Sequence, residues 1–234
     1  MPTVCESGTL YVIATPIGNL EDITLRALHI LKTVDLIVAE DTRKTRKLLS
    51  HYGIKRPMLS YREENKEKQG KKILELLKKG KNVAIVSDAG TPCISDPGVH
   101  LVNLAFQVGI KIVPLPGPSA LITALSVCGL PIQPFVFLGF LPQRPNRRKK
   151  LLLSLKETPY VIVFYESPYR FKKTLEILAE IFPQREIVIA RELTKFHEEI
   201  VRGKAIELWP QWREREVKGE ITVIVAGKAK SVSD

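Results

Sequence analysis

The chain has 234 residues, 44% of them hydrophobic, with 14 Gly and 16 Pro; this is an ordinary globular composition with material for one large or two small domains. No apolar run reaches the ~18 residues that span a bilayer, and Met1-Pro2-Thr3-Val4-Cys5-Glu6 lacks the basic start and apolar stretch of a signal peptide, so a cytoplasmic protein without membrane association is expected. The 36 Lys and Arg against 25 Asp and Glu leave a net charge of +11, which favours a polyanionic partner: nucleic acid, or a multiply carboxylated or phosphorylated substrate.

Apolar β-rich runs alternate with amphipathic helical patterns from the start of the chain. Residues 10–14 read as a strand, 23–31 as a helix, 36–39 as a strand and 42–51 as a helix. A helix over 66–79 turns Ile73, Leu74, Leu76 and Leu77 inward and stops at Gly80; a strand at 83–86, a helix at 99–108 and a strand at 111–115 follow. The alternation predicts parallel βαβ units. Pro114, Pro116, Gly117 and Pro118 form the densest break, so the expected domains are 1–116, with a parallel sheet, and 117–234, with a mixed one. The second half carries a small-residue helix at 119–128, strands at 135–138, 160–164, 186–190 and 221–225, and helices at 147–155 and 169–182. Cys5, Cys93 and Cys128 have neither metal-ligand spacing nor an even count, so reduced thiols and no metal are expected.

The loop Asp88-Ala89-Gly90-Thr91-Pro92-Cys93-Ile94-Ser95-Asp96-Pro97-Gly98 sits between a strand and a helix, where an open α/β sheet binds its ligand. Its Gly and Pro residues fix the backbone and permit close approach by another molecule. Similar clusters follow other strands: Thr15-Pro16-Ile17-Gly18-Asn19, Glu40-Asp41-Thr42-Arg43, Pro116-Gly117-Pro118-Ser119-Ala120 and Tyr165-Glu166-Ser167-Pro168. Five such clusters on one rim would make a cleft. The Gly-x-Gly-x-x-Gly fingerprint after the first strand and the Gly-x-x-x-x-Gly-Lys-Ser/Thr phosphate loop are both absent, which argues against the common dinucleotide and nucleoside-triphosphate sites.

The segments GTLYVIATPIGNLEDITLRAL (8–28), AEDTRKTRKLL (39–49), VSDAGTPCISDPG (86–98), PLPGPSA (114–120), FLGFLP (137–142), YESPYR (165–170), ARELTKFHEE (190–199) and GEITVIVAGK (219–228) together resemble the tetrapyrrole methylase superfamily, and within it the branch of small-subunit ribosomal RNA 2′-O-methyltransferases. The chain departs from that pattern at Arg62 and Tyr169, where the family has His. The resemblance implies two α/β domains with S-adenosylmethionine in the crevice between them, a homodimer, and small-subunit ribosomal RNA or the 30S subunit as substrate, methylated on a decoding-region cytidine. It implies a cofactor held by Pro16, Ile17, Gly18, Asp88, Ala89, Gly90, Ile94, Ser95, Ser119, Ala120, Phe140, Tyr165, Ala190 and Glu220. The residue types suit the task. Backbone N–H groups at tight turns take a carboxylate, aliphatic side chains sandwich adenine, and a carboxylate takes an amino group or ribose hydroxyls.

Transfer of a methyl group already on a sulfonium needs positioning above all. Asp41, Asp96 and Glu166 are candidates to orient or deprotonate a 2′-hydroxyl, and Arg43 and Arg170 to hold flanking phosphates. Each carboxylate also has a structural reading: Asp41 and Asp96 as helix caps, Glu166 as partner of Arg170. Arg144, Arg147, Arg148, Lys149 and Lys150 open a helix and form the sharpest basic cluster, expected to contact RNA phosphates; Arg43, Lys44, Arg46 and Lys47 form a second. His197 lies in a family segment and is expected to be structural or substrate-positioning. Two rival readings remain at this stage: methylation of an acidic tetrapyrrole, and a ribosome-assembly protein that binds RNA without turnover.

Overall fold

The first half of the chain pairs five short strands in parallel: β1 (Thr9–Ile13), β2 (Leu36–Ala39), β3 (Met58–Ser60), β4 (Val83–Val86) and β5 (Lys111–Leu115), in the order β3-β2-β4-β1-β5. Parallel pairing needs crossovers, and helices α1 (Leu25–Thr33), α2 (Thr42–His51), α3 (Lys66–Lys78) and α4 (Gly98–Gln107) supply them. The strand period of two sends Ile13, Ile37, Ala84 and Leu115 into one apolar layer and Leu10, Val38, Val83 and Ile85 into the other. Both layers are buried, so the strands read as continuous apolar runs. Each fully buried Leu or Ile contributes about 1.5–3 kcal/mol. The computed structural model describes residues 7–229 and divides the chain into two units after Ser119. Cys5 and the rest of the N-terminal segment read above for a signal peptide lie outside the described residues.

The second unit begins with α5 (Ala120–Val127) and continues through β6 (Phe135–Phe140), α6 (Pro145–Ser154), β7 (Val161–Glu166), α7 (Pro168–Ile181), β8 (Glu186–Arg191), β9 (Glu199–Lys204), α8 (Ala205–Arg213) and β10 (Ile221–Val225). Its sheet runs β6-β7-β10-β8-β9 and is mixed: β6 and β7 are parallel, and the other neighbours are antiparallel. Phe171, Leu175 and Leu178 of α7 pack with Trp212 of α8 onto Ile162, Phe164, Ile187, Ile189 and Val223. Phe171 and Trp212 meet edge to face with centroids 5.1 Å apart. No helix among the described residues is long and apolar enough to cross a membrane.

The helices expected from periodicity end within two residues of the observed ones. Two strands and one α-helix were not anticipated: β3, which is three residues long; β9, whose burial alternates between partial and none; and α8, which contains Pro210.

Candidate functional site

Because all five strands of the first unit run the same way, the residues that follow Ile13, Ala39, Val86 and Leu115 emerge along one edge of the sheet. Their loops are tied to one another. Thr15 and Gly90 exchange backbone hydrogen bonds of 2.9 Å in each direction, the Thr15 hydroxyl donates to the Ser87 carbonyl at 3.0 Å, and the Ser87 hydroxyl donates to the Gly90 carbonyl at 2.8 Å. Thr91 Oγ1 donates to the Pro118 carbonyl at 3.2 Å. Gly90 is left-handed at φ 79°, and a Cβ there would stand 3.3 Å from Ile17 Cγ2, so the loops close only around a glycine. Asp88 adds the fourth loop: its Oδ1 accepts the Asp41 N–H at 2.9 Å and its Oδ2 pairs with Lys44 Nζ at 2.9 Å. Ala89, Ile94 and Ser95 point outward from this braced edge, Ile94 being 48% exposed.

In the second unit, Phe140, Tyr165, Thr222 and Ala190 form one row across β6, β7, β10 and β8. Phe140 is 56% exposed and its ring lies 5.5 Å from that of Tyr165. Burial pushes the Tyr165 phenol up, so it stays protonated. Glu220 precedes β10 and pairs with Lys195 at 2.9 Å.

A family description, the tetrapyrrole (corrin/porphyrin) methylases, matches residues 9–208 of the chain. The chain belongs to the tetrapyrrole methylase family. It is similar to proteins named ribosomal RNA small subunit methyltransferase I from Thermotoga maritima (54% identical over 221 residues, 94% of this chain and 99% of the relative) and from Bacillus subtilis (50% over 222 residues, 95% of this chain and 76% of the relative). Among solved structures it resembles the methyltransferase CobJ (TM-score 0.71, 22% identity, 97% of this chain and 98% of that one). It also resembles the cobalt precorrin-4 methyltransferase CbiF (TM-score 0.66, 17% identity, 93% and 94%). These two likenesses concern the fold.

Several site expectations are corrected by what the side chains of this methylase touch. Glu166 is buried: its Oε1 accepts the Ser167 N–H at 2.9 Å and pairs with Arg170, and its Oε2 accepts the Thr174 hydroxyl at 2.7 Å. Period two already aligned it with Ile162 and Phe164 in the core. A carboxylate enclosed in this way cannot meet a ribose hydroxyl. Arg148, expected on RNA, is 2% exposed and donates to Thr174 Oγ1 at 2.6 Å and to the carbonyls of Pro142 (3.3 Å) and Gln143 (3.0 Å). Arg170 donates to the Leu141 carbonyl at 3.1 Å. Two guanidiniums anchored on Glu166 therefore clamp three consecutive carbonyls of the β6–α6 turn. Lys149 is engaged by Glu180 at 2.6 Å, which leaves Arg144, Arg147 and Lys150 as the exposed cations of the cluster. The fifth Gly/Pro-type cluster, at Tyr165–Pro168 by position, ends a strand of the second sheet, so the four-loop edge of the first unit stands without it.

Asp41 and Asp96 also have structural duties. Asp41 caps α2 through the Arg43 N–H at 2.9 Å and forks the Arg43 guanidinium at 3.2 and 3.0 Å; the Arg43 bonds hold its carboxyl down at about 2. Such a carboxylate is a poor proton acceptor. Asp96 closes its own loop by accepting the N–H groups of Cys93 (2.9 Å) and Gly98 (2.8 Å). The Cys93 thiol is pushed up to about 11 by burial and then by Asp96, so it remains a thiol. Sequence reasoning passed over Glu40, next to Asp41. Burial first, then Asp88 and Asp96, push its carboxyl above the usual range. Its position directly after β2, at the carboxyl edge, was the available signal.

The depressed Asp41 carboxyl sets an acid dependence. Its folded value lies below the ordinary 3.8, so its contribution to stability is complete above that value and is lost as the pH falls toward about 2. The difference in melting temperature between wild type and Asp41→Ala is expected to be constant above pH ~5 and to shrink toward pH ~2. A difference independent of pH across that window would contradict the pairing.

Proposed function

We propose that the chain transfers a methyl group from S-adenosylmethionine to a ribose 2′-hydroxyl of small-subunit ribosomal RNA, on a decoding-region cytidine, in the cytoplasm and as a homodimer. The observation that carries the methyltransferase and its RNA substrate is the near-full-length match, at 54% identity over 94% of the chain, to a protein named for that substrate and that reaction class. The 2′-oxygen, the cytidine and the homodimer rest on the motif resemblance of 15–20, 39–43 and 87–92.

The residues present fit the cofactor. The edge of the first unit offers loops that cannot collapse, with Ala89 and Ser95 exposed to donate and Ile94 exposed to pack on a flat ring. The second unit offers Phe140, half exposed beside Tyr165. Bound S-adenosylmethionine supplies an activated methyl carbon. Gly90 is bonded to Thr15 and packs beside Ile17, Asp88 joins two of the loops, and Ala190 is buried in the row behind Tyr165; Pro16, Gly18, Ser119 and Ala120 are assigned to the cofactor by the motif resemblance alone. Burial and the neighbouring Asp88 and Asp96 make the Glu40 carboxyl bind a proton more tightly than an ordinary glutamate. Well-aligned positioning is worth about 7–11 kcal/mol, whereas a general base adds about 10²–10⁴-fold in rate.

The test is transfer of labelled methyl from S-adenosylmethionine to small ribosomal subunits from a strain lacking the enzyme, then digestion and mass mapping. A single 2′-O-methylcytidine is expected. Cofactor binding without transfer to RNA would overturn the substrate and favour an acidic small molecule.

A further inference from the structure

Tyr169 and Phe196 are the two most exposed large apolar side chains among the described residues, at 97% and 96%. Singly exposed aromatics are common and carry no argument. These two leave the same edge of one sheet. Strand β10 lies between β7 and β8, and Ile221 faces Glu166 on one side and Arg191 on the other, so β7 and β8 end level, roughly 10 Å apart. Tyr169 follows the end of β7 in the first turn of α7, behind Pro168. Phe196 follows the end of β8 in the loop to β9.

The loop that carries Phe196 is rigid although its ring is not packed. Lys195 N–H donates to the Glu192 carbonyl at 3.0 Å, Glu198 N–H to the Lys195 carbonyl at 3.1 Å, and Thr194 N–H to Glu198 Oε2 at 2.6 Å. Arg191 Nη2 donates to the His197 carbonyl at 3.2 Å, and Lys195 Nζ bridges Glu192 (2.7 Å) and Glu220 (2.9 Å). Glu192 and Thr194 are left-handed at φ 53° and 65°, a conformation that β-branched threonine adopts only when its surroundings impose it. All of this bonding holds the backbone and leaves the Phe196 ring against His197 alone among the aromatic rings, edge to face at 5.0 Å. Glu199 is neutralised by Arg191 and Arg215, each at 3.0 Å, so the acids of this loop do not repel an approaching polyanion unopposed.

We propose that Tyr169 and Phe196 are stacking platforms for two unpaired nucleobases of the RNA substrate. An aromatic face is accessible to a base only when that base is outside a helix, and A-form duplexes hide their bases from side chains. The site therefore selects single-stranded or extruded nucleotides, with the chain's net charge of +11 serving the phosphates. This inference rests on the RNA-methylating reading above.

The experiment uses the full chain with a single-stranded fragment of small-subunit ribosomal RNA carrying 2-aminopurine, a perfectly paired duplex of the same length, and intact small subunits. Phe196→Ala and Tyr169→Ala are each expected to raise the Kd for the single strand and the KM for subunits about 5- to 150-fold. Each should abolish quenching of a 2-aminopurine placed at the base that its own ring stacks, and leave duplex binding unchanged. Phe196→Trp and Tyr169→Phe should retain wild-type binding and quenching. Wild-type Kd and quenching in the alanine variants, or equal losses on single strand and duplex, would overturn the platforms. If aromatic-dependent quenching is present but the wild type transfers no methyl to subunits, the platforms stand and the proposed reaction falls; if the wild type binds no RNA, both fall.

Discussion

Glu166→Gln is expected to destabilise the second unit by about 3–5 kcal/mol, because it leaves the buried Arg148 guanidinium without its counter-charge. The arrangement leaves little room for relief. Arg148 Nη1 lies 3.8 Å from Glu166 Oε2 with the Thr174 hydroxyl between them, accepting from the arginine and donating to the carboxylate. Removing both charges together, as in Arg148→Met with Glu166→Leu, should recover much of the loss, since a buried pair adds little net stability over apolar residues of similar volume. Denaturant titration of the two single variants and the double measures the coupling. A single variant within 1 kcal/mol of wild type, by order of magnitude, would mean that water reaches the cluster. RNA methylation should not recover in the double variant, because the Pro142 and Gln143 carbonyls then lose the donor that fixes the turn ahead of Arg144. Stability and activity are thus expected to separate.

Reversing Arg144, Arg147 and Lys150 to Glu together is expected to raise the KM for small subunits on the order of 10²–10³-fold with cofactor affinity unchanged. These are the cations of the cluster that the fold leaves exposed. Each phosphate contact removed should also lower the slope of log affinity against log salt by about 0.7–0.9, so the three together reduce it by about 2–3. A triple variant with wild-type KM and salt slope would remove α6 from the RNA-binding surface.

The parts of the fold that were legible in the sequence are those buried on both sides. Val83–Val86 is apolar throughout because helices cover both faces of a parallel sheet, and the same holds for β2. Two of the edge strands gave no such signal: β9 alternates Ile200 and Arg202 on one side with Val201 and Gly203 on the other, and β3 is too short for a period. Pro210 interrupts the pattern of α8, whose inward residues Leu208 and Trp212 lie on either side of it. At the site, the clustering of loops at the carboxyl edge was readable from the alternation alone. The fate of single charges was not, because a run of basic residues looks uniform until helical periodicity is imposed on it. Arg148 lies one turn before the buried Leu152, and that spacing alone separates it from Arg144, Arg147 and Lys150. The partition of Asp41 and Asp96 into caps depended on which N–H groups stood nearby.

Strand β10, the last among the described residues, fills the centre of the second sheet. During synthesis the first sheet has all its strands once Leu115 is made, whereas β7 and β8 lack their shared neighbour until Ile221–Val225 leaves the ribosome. For most of the interval between, two strands of the second unit carry open edges, and a chain cut short before residue 221 would keep them open permanently. Premature termination near the C-terminus should therefore give an aggregating product rather than a shortened enzyme.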